Sequence, residues 1–193
     1  MNLMHPDRIM GTFNACRTLT PREVEELERL GIPPDALAGP IPVVSSTVNF
    51  DGDRFEFEHH HHRYADKGAR AFIFLITNQW DEAIDIVAWS PSAEKLATWL
   101  GRGWALGQEK VYAPRLIDHA GIQVHRSLAG WLQAYRDGIC LIRPQAAAHY
   151  LDDAGPLLAE DEEHGEELDR VLTRPKPRIL IPSSHFERFR KVS

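Results

Sequence analysis

The run Phe55-Glu56-Phe57-Glu58-His59-His60-His61-His62 sets four imidazoles side by side at the end of an alternating stretch. Imidazole is a metal ligand, a general acid or base, and the side chain that titrates nearest neutrality. If the alternation continues, His59 and His61 follow Phe55 and Phe57 on one face, while His60 and His62 follow Glu56 and Glu58 on the other. Residues two apart on a strand start about 7 Å from one another, so either pair can converge on one divalent ion, and Glu58 can add a carboxylate to His60 and His62. A zinc or iron site needs a third or fourth ligand, for which His119 and His125 are the candidates. The same cluster suits a pH-responsive patch, since neighbouring imidazoles resist being charged together. It also suits a plain polar strand end.

A second group of chemically capable residues lies in GICLIRPQAAAHYLDDAGPLLAEDEEHGEELDRVL, Gly138 to Leu172. Glu160 and Glu162 are oxygen ligands of the kind a Mg²⁺ site uses. Glu160, Glu162, Glu163, Glu166 and Glu167 equally suit the solvated start and outer face of a helix, whose N-terminus favours acids. The segment resembles the Toprim fold of bacterial primases and topoisomerases. In that family an apolar strand ends in a catalytic glutamate, a helix follows, and a later strand ends in an acidic pair before a glycine. Here Ile139 to Ile142 is the apolar strand, Glu160 and Glu162 stand at the acidic pair, and Gly165 follows. The stretch ARAFIFLITNQWDEAIDIVAW, from Ala69, is similar to the hairpin ahead of the Toprim core in primases, and the two pieces span about half the chain. Arg143-Pro144 replaces the family's glutamate-glycine, and only one crossover separates it from Glu160. The resemblance therefore implies a shortened relative without the catalytic carboxylate, and Mg²⁺-dependent phosphoryl chemistry at Glu160 and Glu162 is the least expected reading. The layout is also similar to small proteins of bacterial prophages and plasmids.

Other chemistries find little support. No phosphate-cradling glycine pattern accompanies Gly101, Gly103 and Gly107, and Ser127, Ser183 and Ser184 lack a nucleophile-elbow context. The two cysteines, Cys16 and Cys140, are too few for a disulfide framework or a four-thiolate zinc site. Cys140 lies in the apolar run Ile139-Cys140-Leu141-Ile142 and reads as a buried thiol. Trp99 shares a helical spacing with Leu96 and Leu100, which marks core before it marks a base-stacking platform.

A net charge of −6 argues against a whole-surface grip on nucleic acid. The charge is unevenly spread, however. Acids dominate from Asp152 to Asp169, and the tail carries Arg174, Lys176, Arg178, Arg188, Arg190 and Lys191. Such a tail either complements the acidic helix of its own chain or reaches a partner. No apolar run approaches the roughly 20 residues that span a bilayer, and the N-terminus lacks a basic segment followed by an apolar one. A cytoplasmic protein with no membrane contact is expected.

The elements that must position these residues are marked by caps and turns. Thr20-Pro21-Arg22-Glu23 is a capping box with proline at the first helical position, and Gly31 with Pro33-Pro34 ends that helix. A short helical turn spans Asp35 to Ala38. Asp51-Gly52-Asp53 joins two alternating runs, Ile41 to Phe50 and Arg54 to about His62, as a hairpin. Ala71 to Thr77 and Ala83 to Trp89 form a second. Ser90-Pro91-Ser92 is expected to open a helix to about Leu100, and Ser127 to cap one reaching Tyr135. Strand Gly138–Ile142, helix Pro144–Asp153, strand Pro156–Ala159 and helix Glu162–Leu172 then follow in the order of a parallel crossover. Beyond Thr173, Ile179 to Ile181 is a strand candidate.

The expected fold is α+β: an N-terminal helix and antiparallel hairpins, then a short βαβα unit, in one domain of residues 1–173 with a basic tail, 174–193. The expected function is that of a non-catalytic accessory protein of a bacterial mobile element, binding a protein or nucleic-acid complex through the tail. The alternative is a metal-dependent enzyme, with Zn²⁺ or another divalent ion held by His59, His60, His61, His62, His119 and His125.

Overall fold

Pro6 and Pro21 each occupy a first helical turn, where a missing amide hydrogen costs nothing. In the computed structural model, which describes residues 5–58, 68–112, 121–152 and 154–173, they begin α1 (Pro6–Asn14) and α2 (Pro21–Arg29). The capping box of α2 is formed in both directions: Thr20 Oγ1 accepts from the Glu23 amide, and the Glu23 carboxylate accepts from the Thr20 amide at 2.8 Å. Glu23 is buried, and Arg17 on β1 (Arg17–Thr18) donates to both of its oxygens at 2.8 and 2.7 Å. The α1 helix has only Ile9 and Phe13 as buried apolar residues, too few to announce it by periodicity. The short α3 (Pro34–Ala38) follows α2.

Strands β2 (Val44–Asp51), β3 (Arg54–Phe57), β4 (Ala69–Thr77) and β5 (Ala83–Ser90) make the two expected hairpins. The Asp51-Gly52 turn sets Phe50 opposite Phe55 and Val48 opposite Phe57. As the alternation requires, Phe55 is buried and Glu56 exposed. The helix expected from Ser90 to Leu100 is not formed. Pro91–Ala93 makes one 3₁₀ turn, Glu94 takes a left-handed φ of 50°, and Lys95–Thr98 returns as β6, antiparallel to β5. The spacing of Leu96, Trp99 and Leu100 suits a helix, but Trp89 pairs with Leu96 and Ala88 with Ala97 across the turn, and Ala97 and Thr98 are wholly buried. Long-range strand pairing overrides the local period. Strand β6 also meets β3 at Arg54 and Thr98, and β2 meets β4, so the pairings β2–β3–β6–β5–β4–β2 close on themselves.

A smaller sheet has the order β10-β8-β9-β7, made of β7 (Ala105–Leu106), β8 (Ile122–His125), β9 (Ile139–Leu141) and β10 (Leu157–Leu158). Strands β9 and β10 both run parallel to β8, whereas β7 is antiparallel to β9. Three helices complete this half: α4 (Leu128–Gln133), capped by Ser127, α5 (Pro144–Tyr150) and α6 (Glu162–Leu172). The crossover from β9 through α5 to β10 therefore straddles β8. Strands β7 and β8 fall where the sequence looks irregular, since runs of two and four residues carry little period.

The core is built in layers. Ile9 and Phe13 of α1 cover one face of the larger sheet through Ile73, Ile86 and Ala88. Its other face, with Phe72, Phe74 and Val87, packs on α2, α3 and α4 and through them on Leu106 and Cys140 of the smaller sheet. The far face of the smaller sheet buries Ile122, Val124 and Ile139 against Ala147 of α5 and Leu168 of α6. Asp85 is a buried carboxylate between the halves, accepting from the amides of Ile86, Leu100, Arg102 and Gly103 at 2.6–2.9 Å. No described helix is long and apolar enough to cross a membrane.

Candidate functional site

The carboxyl ends of β8, β9 and β10 are adjacent, and such ends are where parallel sheets present their ligand-binding and catalytic groups. Here they deliver His125 and Arg126 from β8, Arg143 after β9, and Glu160 and Asp161 between β10 and α6. His125 is buried to 8% exposure. Its Nε2 is 2.8 Å from the Asp137 carbonyl oxygen and its Nδ1 is 3.4 Å from Glu160 Oε1. A carbonyl oxygen only accepts, so Nε2 carries a proton. The contact with Glu160 becomes an ion pair when Nδ1 carries one as well. Nε2 is thus engaged within the fold, and Nδ1 faces the Glu160 carboxylate. Ser127 is close by, but its Oγ accepts from the Gly130 amide at 3.0 Å as the cap of α4.

Glu160 Oε1 also accepts from the Arg126 amide at 3.2 Å. The Arg126 guanidinium takes Asp161 in two bonds of 3.2 and 3.0 Å, and Glu167 lies 3.7 Å from its Nε. Asp161 caps α6 by accepting from the His164 amide at 2.8 Å, and buried His164 returns Nδ1 to the Glu160 amide at 3.1 Å. The N-cap bond at Asp161 and the bond from the preceding Glu160 amide to His164 Nδ1 together fix the first turn of α6 on the segment before it. The His164 amide and the Arg126 guanidinium hold the Asp161 carboxyl below its ordinary value, and donating to Asp161 raises Arg126. A cavity of about 100 Å³ beside these groups is lined by His125, Arg126, His164 and Glu167 together with apolar side chains.

Arg143, at the position the Toprim resemblance assigns to glutamate, donates to the Gly101 carbonyl oxygen and precedes the first residue of α5. On the same strand, Cys140 lies opposite His125. Burial pushes its thiol up to about 12, with Glu160 adding a smaller repulsion, as suits a structural cysteine.

Among the residues singled out from the sequence, Glu58, His125, Arg143, Glu160 and Glu162 are described. His59, His60, His61, His62 and His119 lie outside the described residues, as do Arg174, Lys176, Arg178, Arg188, Arg190 and Lys191 of the tail. Among the described residues, no three His, Cys, Asp or Glu side chains are arranged to hold a metal ion. Glu160 is drawn to His125 and the Arg126 amide, while Glu162 is an exposed first-turn residue of α6. Sequence reasoning missed Arg126, Asp137 and His164. Only His164 carried a readable signal, its place three residues after Asp161. No family model, curated protein or solved structure matches the chain.

Proposed function

We propose that the chain is a non-catalytic accessory protein of a bacterial mobile element, acting by binding a protein or nucleic-acid complex. The observation that carries this reading is the closed pairing at the ends of β8, β9 and β10. His125 Nε2 donates to the Asp137 carbonyl oxygen and its Nδ1 faces Glu160, Arg126 donates to Asp161, and Arg143 donates to the Gly101 carbonyl oxygen. A catalytic acid, base or metal ligand needs a lone pair or proton directed at its substrate, and these groups direct theirs at one another. The acids of α6 are exposed, and the sequence beyond Thr173 adds six basic residues, so charges of both signs are available to a partner.

The test is a salt titration of binding to single-stranded and duplex DNA, using the full chain and a full chain with the six tail cations replaced by glutamine. Each phosphate that the substituted tail no longer neutralises should flatten the dependence of log affinity on log salt by roughly 0.7–0.9. Unchanged affinity and slope in the substituted chain would remove the tail from the reading. A Mg²⁺-dependent turnover of nucleic acid that Glu160→Gln abolishes would sink the non-catalytic assignment itself.

A further inference from the structure

Arg136 carries a charge that no described carboxylate answers. Helix α4 closes through bonds from the Tyr135 amide to Leu132 O at 3.0 Å and from the Arg136 amide to Trp131 O at 2.8 Å. Tyr135 and Arg136 then take consecutive left-handed conformations, with φ of 54° and 62°. Residues with side chains rarely adopt this geometry, and strain of this kind gathers at binding sites. The turn carries the guanidinium across to α3 and the following loop. There Nε donates to Ala36 O at 2.6 Å, Nη1 to Ile41 O at 2.7 Å and Nη2 to Leu37 O at 3.1 Å. All three acceptors are carbonyls, and burial pushes the guanidinium below its ordinary value. Lys110, whose ammonium donates to the Arg136 carbonyl oxygen, brings a second cation to the same place.

Both cations line a cleft of about 180 Å³ between the two sheets, floored by Phe74, Leu106 and Trp131. Glu109 and Asp35 are on the wall too; burial pushes the Glu109 carboxyl up, with the Lys110 charge acting weakly in the lowering direction, and neither acid lies within ion-pair distance of Arg136 or Lys110. Arg136 is half-buried with its guanidinium 5.9 Å from the centroid of the Trp131 ring, Lys110 is exposed at the rim, and both border space that a ligand can fill. A cavity of about 150 Å³ accepts benzene, so the volume suits one ring or a branched aliphatic group.

We propose that the cleft binds a small organic carboxylate, its anionic head against Lys110 and Arg136 and its apolar body on Phe74, Leu106 and Trp131. The cleft residues are none of those on which the partner-binding reading rests, and the proposal stands whether or not that reading does.

Calorimetric titration of the full chain with 3-phenylpropionate, 3-phenylpropionamide and phenyl phosphate tests this, with the Trp131 indole N–H followed by NMR. Saturable binding of the carboxylate is expected, with a shift at Trp131 and an amide at least about tenfold weaker. Lys110→Gln should weaken the carboxylate by about tenfold while leaving the melting temperature unchanged, which avoids disturbing the Arg136 contacts that hold α3. Absence of carboxylate binding up to about 10 mM would overturn the proposal. So would equal affinity for the amide, unchanged affinity in Lys110→Gln, shifts confined to residues outside the cleft, or binding of phenyl phosphate alone.

Discussion

His125 Nδ1 lies 3.4 Å from Glu160 Oε1, tying the end of β8 to the segment between β10 and α6. The carboxylate also accepts from the Arg126 amide, so it joins two parallel strands at their carboxyl ends. Glu160→Gln keeps an acceptor for that amide and should cost less than about 1 kcal/mol, whereas Glu160→Ala leaves the Arg126 amide without its acceptor and should cost about 1–2 kcal/mol. Urea unfolding of the two variants measures the difference. An alanine variant as stable as the parent would mean that the pair contributes nothing to the fold.

Asp85 presents a sharper case. Its carboxylate accepts four amides, two per oxygen, and it is wholly buried. Asparagine would turn an amide N–H₂ toward two of these donors, so Asp85→Asn should destabilise the protein by about 3 kcal/mol. Hydrogen exchange should accelerate first at the Leu100, Arg102 and Gly103 amides. Uniform acceleration across the chain, with these three unremarkable, would show that Asp85 does not organise that loop.

What could be read from sequence was local. The Thr20–Glu23 box, the Asp51-Gly52 hairpin, the Ser127 cap and the span of α6 each depend on residues a few positions apart, and each is formed. The α+β class follows from their order. The helix assigned to Ser90–Leu100 failed because its apolar spacing fits either period, and only the register with β5, invisible locally, selects the strand. The site was legible as residue types and not as contacts. His125 and Glu160 were both singled out, one as a metal ligand and the other as an acidic relic, while their contact spans 35 residues of chain through a strand order that the sequence does not announce. Asp137 contributes through its backbone carbonyl, which no side-chain pattern marks.

The thiols offer a readout of packing. Burial raises Cys140 to about 12, and it also raises Cys16, against which a bond to Ser46 acts in the lowering direction. A thiol reacts as its thiolate, so native protein near neutral pH should modify slowly with a disulfide reagent, the half-buried Cys16 first and Cys140 only on unfolding. Rapid modification of Cys140 in the native state would contradict the layer in which Leu106, Trp131 and Cys140 share a core.

Glu23 links the N-terminal packing to pH. Burial alone would raise its carboxyl, but the bonds from Arg17 and Thr20 outweigh burial and bring it down to about 2, from an ordinary value of 4.5. A carboxyl whose folded value is depressed stabilises the fold fully above its unfolded value, and that stability disappears as pH falls toward the folded one. The contribution should therefore be constant above about pH 5 and fade between about pH 4.5 and pH 2. Because the Arg17 partner is half exposed, solvent screening limits its size to about 2 kcal/mol. Unfolding free energies of the parent chain and of Glu23→Gln, measured from pH 7 to pH 2.5, should converge on acidification. Parallel curves over that range would mean that the carboxylate contributes no charge-dependent stability, and that the capping box alone accounts for its burial.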